Sequence, residues 1–324
     1  MATHITRRTA ASLMVAGVAA SRSARAADLA GATLMVGDQK GGSRALMEAA
    51  GVLAGVPYAI EWREFPAAAP LLEALNAGAI DTGIVGDAPM IFAQAAGVPL
   101  KAIGAWRSDP VGTAIVAPAG SPIRTPVDLK GKRIATGKGS IGHYLVLVAL
   151  ESAGLSASDA EIVFLLPADA KAAFVSGAID AWSSWDPYTS LVRLVDGATV
   201  VADGHGITTG LGFQVANEHA IATKRAVLED FLGRLAAARA WSLDHTDQFA
   251  ATLAQLIGIP PEVGREWLGR ARTQFVLIDE RVVTDQQRTI DNYARFGVIQ
   301  KRVAAADAFD ASFNPAVARY SASG

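Results

Sequence analysis

The chain contains no cysteine, and this absence excludes several classes of function at once. Without thiols there is no disulfide framework, no thiolate metal ligand and no cysteine nucleophile. Histidine is scarce, with 5 residues in 324, and neither an H-x-H nor an H-E-x-x-H spacing occurs. The G-x-S-x-G turn of serine hydrolases is missing as well. We therefore expect no metal, no cofactor and no catalytic residues.

A strong excess of charge is also missing. The 29 basic and 31 acidic residues leave a formal net charge of -2. Because proteins that bind nucleic acid are usually basic, we expect no nucleic-acid partner. No segment of the mature chain reaches the 18 or so consecutive apolar residues that a membrane span needs. The hydrophobic fraction of 51% is nevertheless ample for one large or two medium domains.

Residues 1–26 have the pattern of an export signal. Arg7 and Arg8 precede a run of small apolar residues over 10–20, and an A-x-A cleavage motif ends at Ala26. Adjacent arginines ahead of the apolar run are typical of twin-arginine signals. We expect cleavage near Ala26 and a periplasmic mature protein. The alternative is the apolar start of a cytosolic domain.

From residue 31 onward, short apolar strands alternate with helical stretches. This rhythm predicts an α/β fold with mostly parallel sheets. A long strand is predicted over 112–123, and the block from Thr223 to the end reads as helical. Two segments echo each other, GAIDTGIVGDAP from Gly78 and GAIDAWSSWDP from Gly177, each running from a helix end through a strand to an aspartate and a proline.

The repeat predicts two lobes. Residues 27–114 and 212–324 form the predicted lobe 1, and residues 115–211 form lobe 2. Two crossover strands join them, and a cleft lies between them.

The segment GKGSIGHY raises the question of a bound anion. Gly137, Gly139 and Gly142 spell G-x-G-x-x-G, the dinucleotide fingerprint. That motif normally opens the first βαβ unit and has an acidic residue about 20 positions later, whereas here it lies mid-chain without such a residue. No Gly-Lys-Ser/Thr ends the loop, so a P-loop is excluded. An anion loop is favoured, with purely structural glycines and a nucleotide site as the alternatives.

An ordered set of blocks resembles the aliphatic-sulfonate substrate-binding proteins of ABC importers, within the sulfonate, nitrate and taurine-binding family. The blocks are VGDQKGG (36–42), WREF to LKAI (62–103), SPIRT to AGLS (121–156), FLLPAD to WDPY (164–188) and VVADGHGI (200–207). The resemblance implies a two-lobe, type II periplasmic binding-protein fold that closes on a sulfonate. It also implies an ABC permease and its ATPase as partners, and we expect a monomer.

The resemblance places GKGSIGHY at the ligand. Its amides converge on an anion, and a helix that begins near Ser140 adds the positive end of its dipole. We expect Ser140, Ile141, Gly142 and His143 to bind the ligand. Family members often have small or hydroxyl residues where Ile141 and Gly142 stand, so the identity of the anion stays open.

Lobe 1 offers a second candidate loop at a strand end, formed by Gly86, Asp87 and Ala88. Its amides point into the predicted cleft, although Asp87 is equally well read as a helix cap. Relatives often carry threonine at the position of Ala88. Gln39 ends the first strand and is expected to donate to a sulfonate oxygen, with an exposed loop glutamine as the alternative. Lys40 is read as a solvated rim residue.

Trp185 and Asp186 complete the predicted site. Trp185 ends a strand and is expected to pack on the organic tail of the ligand, while Trp182 belongs to the core. Asp186 either caps the next helix, which we favour, or holds an ammonium group such as that of taurine.

These residues predict a solute-binding protein that takes up an aliphatic sulfonate as a sulfur source. Taurine, a sulfate ester or an aromatic sulfonate are alternative ligands. An enzyme on the same scaffold is the other class. Aryl-sulfinate desulfinases of this fold use a cysteine, which this chain lacks. Pyrimidine synthases of the thiamine pathway are cytosolic, whereas this chain carries an export signal.

Overall fold

The computed structural model describes residues 29–321. The predicted export signal, residues 1–26, lies outside the described residues. Within 29–321, no helix combines the length and the apolar character needed to cross a membrane.

Eleven strands occur in the described part of the chain. They are β1 (Thr33–Gln39), β2 (Ala59–Phe65), β3 (Thr82–Gly86), β4 (Leu100–Arg107), β5 (Ala114–Ala117), β6 (Arg133–Thr136), β7 (Glu161–Phe164), β8 (Ala181–Ser184), β9 (Thr199–Asp203), β10 (Leu211–Asn217) and β11 (Gln274–Val276).

Twelve α-helices accompany them between residues 29 and 321. They are α1 (Ser43–Ala49), α2 (Ala68–Asn76), α3 (Asp87–Ala95), α4 (Ile141–Ser152), α5 (Pro167–Val175), α6 (Tyr188–Val195), α7 (Glu218–Thr223), α8 (Arg225–Asp244), α9 (Thr246–Ile257), α10 (Pro261–Ala271), α11 (Glu280–Arg295) and α12 (Asn314–Val317).

The strands form two sheets with the same internal order. One sheet runs β2-β1-β3-β10-β4-β11 and the other runs β7-β6-β8-β5-β9. In each, three parallel strands are followed by one antiparallel strand that arrives from the other sheet. The predicted two-lobe α/β fold is confirmed, although the returning strand makes each sheet mixed. We call the six-stranded sheet with α1–α3 and α7–α12 lobe 1, and the five-stranded sheet with α4–α6 lobe 2. The exact lobe limits given above stay a prediction.

The repeated GAID segments have equivalent contacts in the two lobes. The Asp81 carboxylate accepts the amide of Met35 at 2.8 Å, and the Asp180 carboxylate accepts the amide of Arg133 at 2.8 Å. Asp81 therefore ties the start of β3 to β1 in lobe 1, and Asp180 ties the start of β8 to β6 in lobe 2. The short sequence match marks a genuine structural repeat.

Two sequence predictions need correction. The block after Thr223 is not wholly helical, because β11 pairs antiparallel with β4 and extends the sheet of lobe 1. Phe275 in β11 is buried, which explains why this short segment is held at the sheet edge. The strand predicted over 112–123 is much shorter, since β5 ends at Ala117, just before Pro118.

The long helix α8 packs Phe231, Leu232 and Leu235 into the core of lobe 1.

The lobes meet through more than the two crossings of the chain. A separate apolar cluster joins α3 and α11 of lobe 1 to α4 of lobe 2, with Tyr293 and Tyr144 in ring contact at 5.2 Å. This contact sets the position of the α4 start relative to lobe 1.

Candidate ligand-binding site

A cleft of about 510 Å³ lies between the lobes and is lined by residues of both. Its walls include strand ends, helix starts and three tryptophan side chains. Clefts that hold organic ligands usually have volumes of roughly 300–1,000 Å³ and apolar walls with a few polar groups. Of the residues predicted to bind ligand, seven line this cleft: Gln39, Gly86, Asp87, Ser140, Ile141, Trp185 and Asp186.

The GKGSIGHY segment forms the lobe 2 wall where α4 begins. Ser140 is the N-cap, and its hydroxyl oxygen accepts the amide of His143 at 3.2 Å. Gly139 has a φ of +69°, which favours glycine and turns the loop toward the helix. The amides of Ile141 and Gly142 open the helix and have no acceptor within it. This wall therefore presents amide donors and the positive end of a helix dipole.

Gly142 and His143 were predicted at the ligand, but they lie behind the residues that line the cleft. A Cβ on Gly142 would lie 2.7 Å from the Ser183 carbonyl oxygen, so the helix start packs directly on β8. The His143 Nδ1 accepts the amide of Gly139 at 3.3 Å, and its ring packs edge-on against Phe164. Gly142 and the His143 ring therefore support the wall from behind, and the cleft lining runs from Gly137 to Ile141.

The electrostatics of His143 fit that supporting position. Burial, reinforced by the nearby Lys138 charge, lowers the pKa of His143 to about 4. The imidazole is therefore neutral at pH 7, as an Nδ1 that accepts a hydrogen bond requires.

In lobe 1 the start of α3 corresponds to the start of α4 in lobe 2, but here the Asp87 carboxylate already accepts an amide of the helix start. Asp87 accepts the amide of Ala88 at 2.7 Å and the hydroxyl of Thr209 at 2.6 Å. Burial raises the pKa of Asp87 to about 6. Ala88, predicted at the ligand, is fully buried and packs in the interlobe apolar cluster instead of lining the cleft. The physical reason is that Ala88, the second residue of α3, packs in the cluster that α3 forms with α4 and α11.

At the start of α1, a carboxylate again accepts the free backbone amides. The Asp38 carboxylate accepts the amides of Ser43 at 2.9 Å and Arg44 at 2.8 Å, and burial raises the pKa of Asp38 to about 6. Next to it, the Gln39 side chain donates to the Ile84 carbonyl at 3.0 Å. Gln39 lines the cleft with part of its hydrogen-bonding capacity already used.

Trp185 lines the cleft and Trp182 is buried in the core of lobe 2. The Asp186 carboxylate also lines the cleft, but both of its oxygens have partners. One accepts the Ser190 amide at 3.0 Å in the first turn of α6, and the other accepts Arg270 of lobe 1 at 2.6 Å. Asp186, one residue before the N-cap Pro187, therefore accepts an amide of the first turn of α6 and also joins the two lobes by an ion pair.

Arg239 is the cleft residue that sequence reasoning missed. It extends from α8 into the cleft, with its guanidinium 5.8 Å from the centroid of the Trp106 ring. Its Nε is buried without a hydrogen-bond partner, and no carboxylate within residues 29–321 forms an ion pair with it. Burial lowers the pKa of Arg239 to about 10, and the charge of Asp38 opposes this. The side chain is therefore cationic at pH 7.

A signal for Arg239 was present in the sequence. Leu228, Leu232, Leu235 and Arg239 follow one another at helical spacing, and the three leucines are buried. A cation on the apolar face of a helix normally has a buried partner or a ligand. The block from Thr223 onward was predicted only to be helical, so no ligand-binding residue was predicted there.

The fold and the cleft define a two-lobe, type II binding protein. Residues 64–248, more than half of the chain, match the family described as NMT1/THI5 like. The chain therefore belongs to the NMT1/THI5-like family.

Sequence and structure comparisons agree on a narrower group of relatives. An Escherichia coli K12 protein named as an aliphatic sulfonates-binding protein is 37% identical over 90% of this chain and 93% of its own length. Among solved structures, the alkanesulfonate-binding protein SsuA from Xanthomonas axonopodis pv. citri, bound to MOPS, has a TM-score of 0.81 and 37% identity, covering 87% of this chain and 99% of that one. The periplasmic aliphatic sulphonate binding protein SsuA from Escherichia coli has a TM-score of 0.76 and 36% identity, with coverages of 85% and 91%.

Proposed function

We propose that this protein binds an aliphatic sulfonate in the interlobe cleft and serves as the solute-binding component of an ABC importer. The observation that carries the proposal is Arg239, a cation in the cleft without an acidic partner among residues 29–321. An unpaired buried charge is costly, and an anionic ligand removes that cost.

The opposite wall complements this charge. The start of α4 contributes the Ser140 hydroxyl and the amide of Ile141. A sulfonate has three acceptor oxygens, and it stays ionised throughout the physiological range. Amides at a helix start and one guanidinium together match an anion with several oxygens better than they match a cation or a neutral solute.

The cellular setting is part of the same proposal. The export signal predicted over 1–26 supports a periplasmic protein, and relatives are named as periplasmic sulfonate binders. A periplasmic binding protein delivers its ligand to a membrane permease driven by an ATPase, so we infer those two partners. We infer a monomer, since a single chain contributes both walls of the cleft.

We further propose that the protein binds without chemical turnover. The cleft carboxylates Asp87, Asp109 and Asp186 already accept hydrogen bonds from Thr209, the Val111 amide and Arg270. The chain also lacks the cysteine of the desulfinases. Ligand should therefore raise the melting temperature while its concentration stays constant over hours.

Isothermal titration of the mature chain tests the ligand class. Ethanesulfonate, taurine, an alkyl sulfate ester and nitrate are titrated in turn, and ethanesulfonate is expected to bind with micromolar or tighter affinity. Heat with nitrate and none with any sulfonate would overturn the proposal. Chromatography of the ligand after overnight incubation tests the absence of turnover, and a new product would contradict it.

A further inference from the structure

Helix α10 of lobe 1 meets lobe 2 at one side of the cleft. Its residues Trp267 and Ala271 line the cleft, and so does Asp186, which lies between β8 and α6 of lobe 2. The end of α10 is anchored to the first segment that crosses between the lobes, because the Asp109 amide donates to the Ala271 carbonyl at 2.9 Å. This helix is therefore placed to bridge the lobes beside the ligand cleft.

The bridge between α10 and α6 consists of charged side chains. The Arg270 guanidinium donates to the Asp186 carboxylate at 2.6 Å and to the Ser190 hydroxyl oxygen at 3.0 Å. The Glu266 carboxylate, also on α10, accepts Arg270 at 3.3 Å and Arg193 of α6 at 3.1 Å. Two ion pairs, Arg270–Asp186 and Glu266–Arg193, therefore cross from one lobe to the other. We call these four charged residues the α10 latch.

The inner ion pair of the α10 latch is largely withdrawn from solvent. The side chains of Asp186 and Arg270 are only 5% and 18% exposed. Loss of one partner leaves the other charge uncompensated at this depth, so each charge depends on the opposite lobe. When α10 moves away from α6, water replaces the lost partner of each charge, so that an ionic contact can break and form again.

A second contact between the lobes is of a different kind. Here α3 and α11 of lobe 1 meet α4 of lobe 2 through buried apolar residues, and the Tyr293 and Tyr144 rings are 5.2 Å apart. The Tyr293 hydroxyl also donates to the Ser140 carbonyl at 3.1 Å. Separation of these surfaces would expose apolar area to water, which no hydration of charge offsets. This contact therefore resists opening more strongly than the α10 latch does.

We propose that the α10 latch is the releasable contact of the cleft, and that the lobes open on this side while the contact of α3, α4 and α11 stays together. Two-lobe binding proteins close on a ligand by a hinge motion, and the latch sets how often the cleft is closed before ligand arrives. Its effect on sulfonate affinity rests on the proposed function, whereas the opening itself is measured without ligand.

Spin-label distances test the opening. The chain contains no cysteine, so an introduced pair is labelled alone. Glu262→Cys on α10 and Val175→Cys in lobe 2 are both exposed, and neither lines the cleft. In the ligand-free mature chain, Arg270→Gln is expected to shift the distance distribution of this pair to longer values. Glu266→Gln, which retains the Arg270–Asp186 pair, should shift it less. Unchanged distributions in both variants would overturn the proposal.

A matched control is provided by another ion pair between the lobes. Arg295 of α11 pairs with Glu151 of α4, and both side chains are about half exposed. Because this pair belongs to the side that stays together, Arg295→Gln should leave the Glu262–Val175 label distance unchanged. An opening as large as that in Arg270→Gln would contradict a latch specific to α10.

A second label pair examines the side that stays together. Thr284→Cys on α11 and Ser152→Cys at the end of α4 are exposed and lie in different lobes. Their distance should be the same in the parent and in Arg270→Gln. A lengthening of this distance in Arg270→Gln would show that both sides separate, which would overturn the one-sided opening.

Titration measures the consequence for the ligand. Glu266 does not line the cleft, so Glu266→Gln should weaken ethanesulfonate and propanesulfonate by the same factor. The expected loss is up to about fivefold, the fold-change that corresponds to ~1 kcal/mol for a partly exposed ion pair. A loss for only one of the two sulfonates would contradict an effect on closure. If neither sulfonate binds to the parent, the proposed function fails, and the label distances still decide the latch.

Discussion

The two lobes repeat one strand order but differ in whether the backbone amides at their helix starts already have a carboxylate partner. In lobe 1, Asp38 and Asp87 occupy the amides at the starts of α1 and α3. In lobe 2, the neutral Ser140 caps α4 and leaves the first two amides of that helix available. A duplicated architecture therefore has one wall already filled by its own carboxylates and one wall open to an external anion.

Lobe 1 contributes a cation to the cleft from a part of the chain that is distant in sequence. Its cation, Arg239, comes from α8, which follows the second crossing between the lobes. Under the proposed function, the anion would lie between the start of α4 in lobe 2 and the Arg239 guanidinium of lobe 1. We infer that ligand binding and lobe closure would then be coupled, since neither lobe alone provides the full set of donors.

Removal of the lobe 1 cation is expected to have the largest effect. Arg239→Gln should weaken sulfonate binding by about 2–5 kcal/mol, the usual range when one partner of a buried charge pair is lost. Arg265→Gln is the control, because Arg265 is exposed on α10 and does not line the cleft. Isothermal titration of both variants measures the difference. An Arg239→Gln protein that binds as tightly as the parent would exclude Arg239 from the site.

A matched pair of glycines compares the two helix starts. Gly142→Ala puts a Cβ 2.7 Å from the Ser183 carbonyl oxygen, whereas the nearest atom to a Cβ on Gly86 is 3.7 Å away. We expect Gly142→Ala to lower the free energy of unfolding by about 1–3 kcal/mol and to weaken binding as the loop shifts. Gly86→Ala, with a backbone φ of -75° that any residue adopts, should change both little. Denaturant titration and calorimetry give the two values, and equal effects would contradict the difference between the walls.

Loss of one hydroxyl in lobe 2 should have a smaller effect. Ser140→Ala removes both the cap on the His143 amide and a donor to the anion. Sulfonate affinity is expected to fall by about 0.5–3 kcal/mol, the range for a hydrogen bond to a charged group. Ser152→Ala, at the other end of α4 and away from the cleft lining, is the control in the same titration. Unchanged affinity in Ser140→Ala would remove that hydroxyl from the site.

Lowering the pH should change the stability contributions of Asp87 in lobe 1 and His143 in lobe 2 in opposite directions. The pKa of Asp87 is raised from 3.8 to about 6, so its contribution to stability is full below pH 3.8 and is lost as the pH rises through 6. The pKa of His143 is lowered from 6.5 to about 4, so its contribution is full above pH 6.5 and is lost as the pH falls through 4.

The consequence for binding is a modest pH dependence. Between pH 7.5 and 5, protonation of Asp38 and Asp87 removes negative charge near the cleft, and sulfonate affinity should rise a few-fold. The double variant Asp38→Asn with Asp87→Asn should bind with a flat pH profile over this range. A parent affinity that falls toward pH 5 would show that these carboxylates do not oppose the anion.

The sequence revealed the repeat, since GAID recurs and its aspartates make the same contact in both lobes. It also predicted the helix start near Ser140, which the structure confirms, because helix caps and glycine conformations are local properties. It did not reveal that Ala88, Gly142 and His143 lie behind the cleft lining. Which side of a helix start faces a cleft depends on the packing of the other lobe.

Arg239 was hidden for a related reason. Its role depends on the position of α8 relative to a loop about 100 residues earlier, and such a contact leaves no local pattern beyond one cation on an apolar helix face. The short strand β11 was missed because three residues carry too little periodicity to be separated from the helices around it.

A crystal structure of the mature chain with octanesulfonate tests the central claim most directly. The account predicts sulfonate oxygens within hydrogen-bonding distance of the Ser140 hydroxyl, the Ile141 amide and the Arg239 guanidinium. A sulfonate bound instead at the start of α3 in lobe 1, with the Asp87 carboxylate displaced, would contradict it.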